Sequence, residues 1–111
     1  MSATLERIDQ MVKEHSIILF MKGTPQFPMC GFSSRTVDAL KQINQPFAFC
    51  NVIADPDVRA DLPKYQDWPT FPQLYIKGEL VGGCDIIMEM FESGDLAPML
   101  EDAAKDFPAA E

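Results

Sequence analysis

The chain has 111 residues, 17 acidic against 9 basic side chains for a net charge of -8, 47% apolar residues and three cysteines. At about 100 to 200 residues per domain, this is one domain spanning 1-111 with a single core, too short for a two-domain enzyme. The acidity, with no Lys or Arg cluster, argues against binding nucleic acid or anionic membranes, and three cysteines are too few and too odd in number for a disulfide scaffold.

The opening MSATLERIDQ has neither a basic leader nor an apolar stretch, so no signal peptide is expected. The longest apolar run, Ile17 to Met21, is far short of a bilayer span. A reduced, cytoplasmic, soluble protein is expected. The charge is unevenly placed: residues 1-55 carry five basic and five acidic side chains, whereas Asp85 to the end carries eight acidic residues and one basic, Lys105. That acidic region, whose end over about 101-111 is expected to be partly flexible, suits solubility or a basic partner protein.

Taken in order, Leu5, Ile8, Met11 and Val12 recur at helical spacing behind Thr4, a candidate cap, and predict a helix over 4-14. SIILFM (16-21) lacks polar alternation and predicts a central strand covered on both faces. KGTPQFPM (22-29), with one Gly and two Pro, is a loop. Val37, Leu40 and Ile43 mark the buried stripe of a helix from about Gly31 to Ile43, and FAFCNV (47-52) predicts a second strand. Asp55-Pro56 opens a short helix over 56-62, which Pro63 is expected to stop. Strands over Gln73 to Ile76 and Glu79 to Gly82 flank the tight turn Lys77-Gly78. Asp85 is expected to cap a helix reaching Glu92 and ended by Gly94, and Asp95 to cap a last helix carrying Leu96, Met99, Leu100 and Ala103. A strand-helix-strand unit followed by a hairpin implies a four-stranded mixed sheet with helices on both faces, an α/β sandwich.

Cys30 falls where the loop after the first strand turns into a helix. The unpaired N-H groups and dipole of a helix N-terminus favour an anion, and thiolate is the reactive form of cysteine, so a lowered thiol pKa is expected there. Three residues on, where a Cys-x-x-Cys motif would place its resolving thiol, stands Ser33. A hydroxyl cannot form a disulfide, so dithiol exchange through this pair is excluded and a second sulfur must come from elsewhere.

Cys30-Gly31-Phe32-Ser33, preceded by Met21-Lys22-Gly23-Thr24-Pro25 and followed by Trp68-Pro69-Thr70-Phe71-Pro72-Gln73 and Gly82-Gly83-Cys84-Asp85, resembles the monothiol glutaredoxin family of the single-domain bacterial type. Four separated motifs in the family's order and spacing carry the resemblance over nearly the whole chain. It implies a thioredoxin-like fold, bound glutathione and a [2Fe-2S] cluster bridging a homodimer. A [2Fe-2S] cluster takes four sulfur ligands, and two copies of Cys30 with two glutathione thiolates supply four. The resemblance further implies a heterodimer with a small BolA-like regulatory protein and apo iron-sulfur proteins as recipients.

By the same resemblance Lys22 and Arg59 pair with the glycine carboxylate of glutathione, against the plainer alternative of solvated surface cations. Phe71, before a cis-proline at Pro72, presents its backbone to the cysteinyl part, and Trp68 either covers this loop or joins the site. At Gly82-Gly83-Cys84-Asp85 the N-H groups of Cys84 and Asp85 meet a carboxylate while the Asp85 side chain meets the γ-glutamyl amine. Cys30 is then both the catalytic nucleophile and the metal ligand. Cys84, near the site in the family fold, is a candidate disulfide partner for Cys30 under oxidation; Cys50 reads as core. Met11, Met88 and Met99 read as packing residues, and His15 as a helix-end residue that is solvated or meets the helix dipole rather than a ligand. Two functions follow: cluster storage, transfer and assembly as the leading one, and glutathione-dependent thiol-disulfide exchange through one cysteine, at most weak, as the alternative.

Overall fold

The computed structural model describes residues 2-108. Its elements, in chain order, are α1 (Ala3–Glu14), β1 (Ile17–Met21), α2 (Gly31–Ile43), β2 (Ala48–Asn51), α3 (Pro56–Tyr65), β3 (Gln73–Ile76), β4 (Glu79–Gly82), α4 (Cys84–Ser93) and α5 (Leu96–Ala104). The strands form one sheet in the order β2-β1-β3-β4. β1 runs parallel to β2 and antiparallel to β3, which pairs antiparallel with β4. This is the mixed four-stranded α/β sandwich that the element order predicts.

Every residue of β1 is buried, as a continuous apolar run between two helical layers requires. Strand periodicity sends alternate residues to opposite faces. Ile17, Leu19 and Met21 pack with Val37 and Leu40 of α2, Ile87 of α4, and Leu96 and Leu100 of α5. Ile18 and Phe20 pack on the other side with Ile8 and Val12 of α1, Val58 and Leu62 of α3, and Tyr75 of β3. Phe20 meets Tyr75 edge to face, with ring centroids 5.6 Å apart. At about 1.5 to 3 kcal/mol for each large apolar side chain fully buried, these two faces dominate stability and fix β1 as a rigid support for the loop that follows it.

Several helix ends differ from the sequence expectation. The cap of α1 is Ser2, whose hydroxyl accepts from the Leu5 N-H at 3.1 Å; Thr4 lies inside the helix. Pro63 does not stop α3, which runs on to Tyr65 with the proline inside it. A proline there forfeits one backbone bond, and Leu62, fully buried among Ile8 and Val12, holds the last turn in place. Asp85 does not cap α4: Gly83 occupies the cap position and provides no side-chain bond, which leaves Asp85 in the first turn. Asp95 holds the cap position of α5 without a side-chain cap bond. Met99 is 40% exposed rather than packed, and Cys50 is only partly buried, at the edge of the α1/α3 face.

The acidic end is folded onto the domain through Pro108. Lys77 pairs with Asp102 at 2.7 Å and Asp106 at 3.8 Å, and the Pro108 carbonyl accepts from the Ser16 N-H. The expectation for 109-111 lies outside the described residues. Across α1 and α3, Arg7 grips Asp55 through two bonds of 2.7 and 3.0 Å.

The Arg7 guanidinium holds the Asp55 carboxyl below its ordinary range, as Lys77 does for Asp102. A carboxyl group whose pKa is depressed on folding adds stability above its unfolded value of about 3.9 and loses it as pH falls through the lower folded value. The urea midpoint is therefore expected to stay level from neutral pH to about 5 and to drop below about 4. In Arg7→Met the drop attributable to Asp55 disappears; equal acid sensitivity in both proteins would show that this pair contributes nothing.

Candidate functional site

The segment between β1 and α2 is a tight, tied hairpin rather than an open loop. Thr24 and Phe27 exchange backbone bonds, Met29 donates to the Lys22 carbonyl at 2.9 Å, and the Lys41 ammonium donates to the Pro25 carbonyl at 2.8 Å. Asn51, at the end of β2, accepts from the Gly23 N-H at 3.0 Å. Gly23 has φ +93°, and a Cβ there would lie 2.5 Å from the Phe27 carbonyl oxygen, so only glycine allows this closure. The hairpin delivers the chain to Cys30, the N-cap of α2.

The Cys30 sulfur accepts from the Ser33 N-H at 3.3 Å, and the Ser33 hydroxyl lies 3.2 Å from it. That hydroxyl already accepts from the Lys22 backbone N-H at 3.1 Å, which leaves its own proton to point at the sulfur when Cys30 is ionised. Partial burial works against the thiolate. The Ser33 hydroxyl, the backbone N-H groups of Ser33 and Phe32, and the Lys22 charge outweigh it and hold the Cys30 thiol below its ordinary range. By contrast, burial and the nearby Asp55 push Cys50 up to about 11, so it stays a thiol.

Ser33, read from the sequence only as an absent resolving thiol, is thus an active donor to the reactive sulfur. Its full burial and its offset of three residues from a helix-capping cysteine are the signals that identify it. Ser33→Ala removes one donor, and the pH midpoint of Cys30 alkylation is expected to rise while the fold is kept; an unchanged midpoint would mean that the backbone N-H groups suffice.

The remaining predicted residues line one groove in two halves. One half, about 430 Å³, is bordered by Lys22, Arg59, Pro63 and Pro69. The other, about 370 Å³, is bordered by Trp68, Gly83, Cys84, Asp85 and Ile86. Phe32, Thr70 and Phe71 border both, and each half has the size of a small-molecule subsite. The groove thus carries two cations at one end, an acidic side chain at the other and the Phe71 backbone between them. Gly83 lets the start of α4 come close to the proline loop: a Cβ there would sit 3.1 Å from the Pro72 carbonyl and 3.4 Å from the Trp68 indole nitrogen. At that helix start the N-H groups of Cys84 and Asp85 have no side-chain cap. All three cysteines are free thiols.

The Phe71-Pro72 bond is cis, as the family resemblance implies. Its support comes from a buried side chain whose hydrogen bonds are internal to the proline loop and β3. The buried Gln73 amide donates to the Trp68 carbonyl at 3.0 Å and the Thr70 carbonyl at 3.2 Å, and the Tyr75 hydroxyl donates to the Gln73 carbonyl oxygen at 2.9 Å. A fully buried glutamine that spans both sides of Pro69 fixes the groove's central wall. Among the described residues, no group of three or more His, Cys, Asp or Glu side chains is placed to hold a metal ion, and no helix is long and apolar enough to cross a membrane.

Residues 17–81 match the glutaredoxin family profile. The chain is 51% identical over 105 residues to Glutaredoxin 4 of Pasteurella multocida, which covers 95% of this chain and 96% of the relative. It is 47% identical over 111 residues to Glutaredoxin 4 of Escherichia coli, covering 100% of this chain and 96% of the relative. In structure it is similar to reduced poplar apo GrxS14, with a TM-score of 0.75 and 48% identity over 88% of this chain and 90% of that one. The sheet and its five helices are therefore the thioredoxin-like arrangement of glutaredoxins.

Proposed function

The chain belongs to the glutaredoxin family, and from that premise we propose that it is a monothiol glutaredoxin that carries a [2Fe-2S] cluster between two subunits, held by Cys30 and bound glutathione. The observation that carries this reading is the pairing at the start of α2. Cys30 is held below its ordinary thiol range, and the position that would hold a resolving thiol is a serine bonded to it at 3.2 Å. A thiolate without an internal partner is a ligand waiting for sulfur donors from outside the chain.

Glutathione fits the groove by charge. Its glycine carboxylate pairs with Lys22 and Arg59, its cysteinyl backbone lies along Phe71, and its γ-glutamyl carboxylate and amine meet the Cys84 and Asp85 N-H groups and the Asp85 side chain. A glutathione bound so that its thiol reaches Cys30 supplies one further sulfur in each subunit, and two subunits then complete the four sulfur ligands of the cluster. The cluster is cargo: two of its four ligands are dissociable tripeptides, which suits release to apo iron-sulfur proteins in a reducing cytoplasm. A small BolA-like protein in place of the second subunit is the regulatory form of the same assembly.

The lowered Cys30 thiol also favours a second reading. In it, the Cys30 thiolate attacks the glutathione sulfur of a mixed disulfide and expels the substrate thiolate. A second glutathione thiolate then attacks the Cys30-bound sulfur, which yields oxidised glutathione and regenerates Cys30. The two readings are separated by anaerobic assembly with iron, sulfide and glutathione, alongside turnover on a glutathione mixed disulfide. The carrier reading expects visible absorbance that needs glutathione, with slow turnover; fast turnover without cluster uptake would reverse the order.

A further inference from the structure

Three of the large apolar side chains that stay exposed lie within six residues around the reactive sulfur: Phe27 is 79% exposed, Met29 65% and Phe32 59%. Large apolar groups are costly to leave in water, and a cluster of them marks a contact surface. Phe27 and Met29 are borne on the hairpin tied down by Gly23, Asn51 and Lys41, so they are presented on a fixed support rather than on a loose loop. Their exposure is a built feature.

The segment Thr24 to Ser34 contains no charged residue, in a chain that is 23% charged and has a net charge of -8. Two copies of such a chain repel each other over most of their surface. In a two-fold symmetric contact each residue near the axis meets the surface around its own copy, so any charge there is doubled against itself. An apolar arc beside the sulfur whose own residues carry no charge, flanked by the cations Lys22 and Lys41, is the part of this molecule suited to meet a second copy. A basic or acidic partner would instead be matched by charge.

Resting on the cluster-carrier reading above, we infer that Phe27, with Met29, is the protein-protein anchor of the cluster-bridged homodimer, packing against the same hairpin of the second copy. The cluster alone does not hold the subunits; the hairpins close over it and slow its loss to water.

The test compares Phe27→Asp, Phe27→Leu and Phe49→Asp with the unchanged chain. Phe49, 42% exposed on β2, is the control for adding charge at an exposed aromatic outside this arc. Each protein is loaded anaerobically with iron, sulfide and glutathione, and dimer mass and the decay of visible absorbance are followed. Phe27→Asp is expected to shorten cluster lifetime roughly tenfold or to yield monomer, as for loss of an aromatic interface anchor, with Phe27→Leu and Phe49→Asp within twofold of the unchanged chain. Glutathione affinity and the Cys30 alkylation rate stay unchanged in all three. A Phe27→Asp dimer with unchanged lifetime overturns the anchor while leaving the carrier reading intact. Failure of the unchanged chain to take up a cluster overturns both.

Discussion

Replacing Cys30 by serine is expected to abolish cluster uptake and to reduce glutathione exchange by roughly a thousandfold or more, with little change in the thermal midpoint. Both expected activities pass through one sulfur. A cluster needs thiolates, and a serine hydroxyl is neither soft enough nor acidic enough to replace one. Neither of the other cysteines can compensate. Cys50 is pushed up to about 11 and is partly buried on the sheet's α1/α3 face, whereas Cys84 is buried at the start of α4. The fold survives because the serine hydroxyl can still cap α2 through the Ser33 N-H, as the Cys30 sulfur does. Retention of visible absorbance by Cys30→Ser would show that the metal ligand lies elsewhere and would remove the basis of the proposed function.

The double substitution Lys22→Ala/Arg59→Ala is expected to weaken glutathione binding about a hundredfold. Each cation offers a charge-assisted bond to a carboxylate, and hydrogen bonds to charged groups contribute about 1.5 to 3 kcal/mol; in an open groove the lower figure applies, which gives about 3 kcal/mol for two. Because the effect is electrostatic, the unchanged chain should bind glutathione more weakly as salt rises, and the double variant should show a much flatter dependence. Titration calorimetry at two salt concentrations reads both. Binding within threefold of the unchanged chain would return Lys22 and Arg59 to the status of solvated surface cations.

Much of this arrangement was legible in the sequence because local signals and global packing agree. The helix over 31–43 begins at a loop-to-helix junction and carries Val37 and Leu40 on one face, and the hairpin strands flank Lys77-Gly78; both lie where the spacing puts them. The motifs at Lys22, Arg59, Phe71, Cys84 and Asp85 converge on one groove, although up to 63 residues separate them in the chain. What stayed hidden depends on long-range packing. Pro63 is a stop signal locally, but the burial of Leu62 against α1 overrides it. The role of Ser33 needs the Lys22 N-H, eleven residues earlier, to occupy its lone pair. The role of Gln73 needs the Trp68–Thr70 backbone to fold over its amide. Asp85 reads as a cap by residue type, yet Gly83 takes that place because close approach to the proline loop excludes a side chain.

These particulars change the meaning of the odd cysteine count. On the proposed reading, one reactive sulfur, bonded to a serine that cannot resolve it, makes each chain half of a site. The most direct test is the native mass of the anaerobically loaded protein: the account predicts two chains, two glutathiones and one [2Fe-2S] cluster in a single species that dissociates when glutathione is removed. A cluster on a single chain, or a loaded dimer without glutathione, would contradict it.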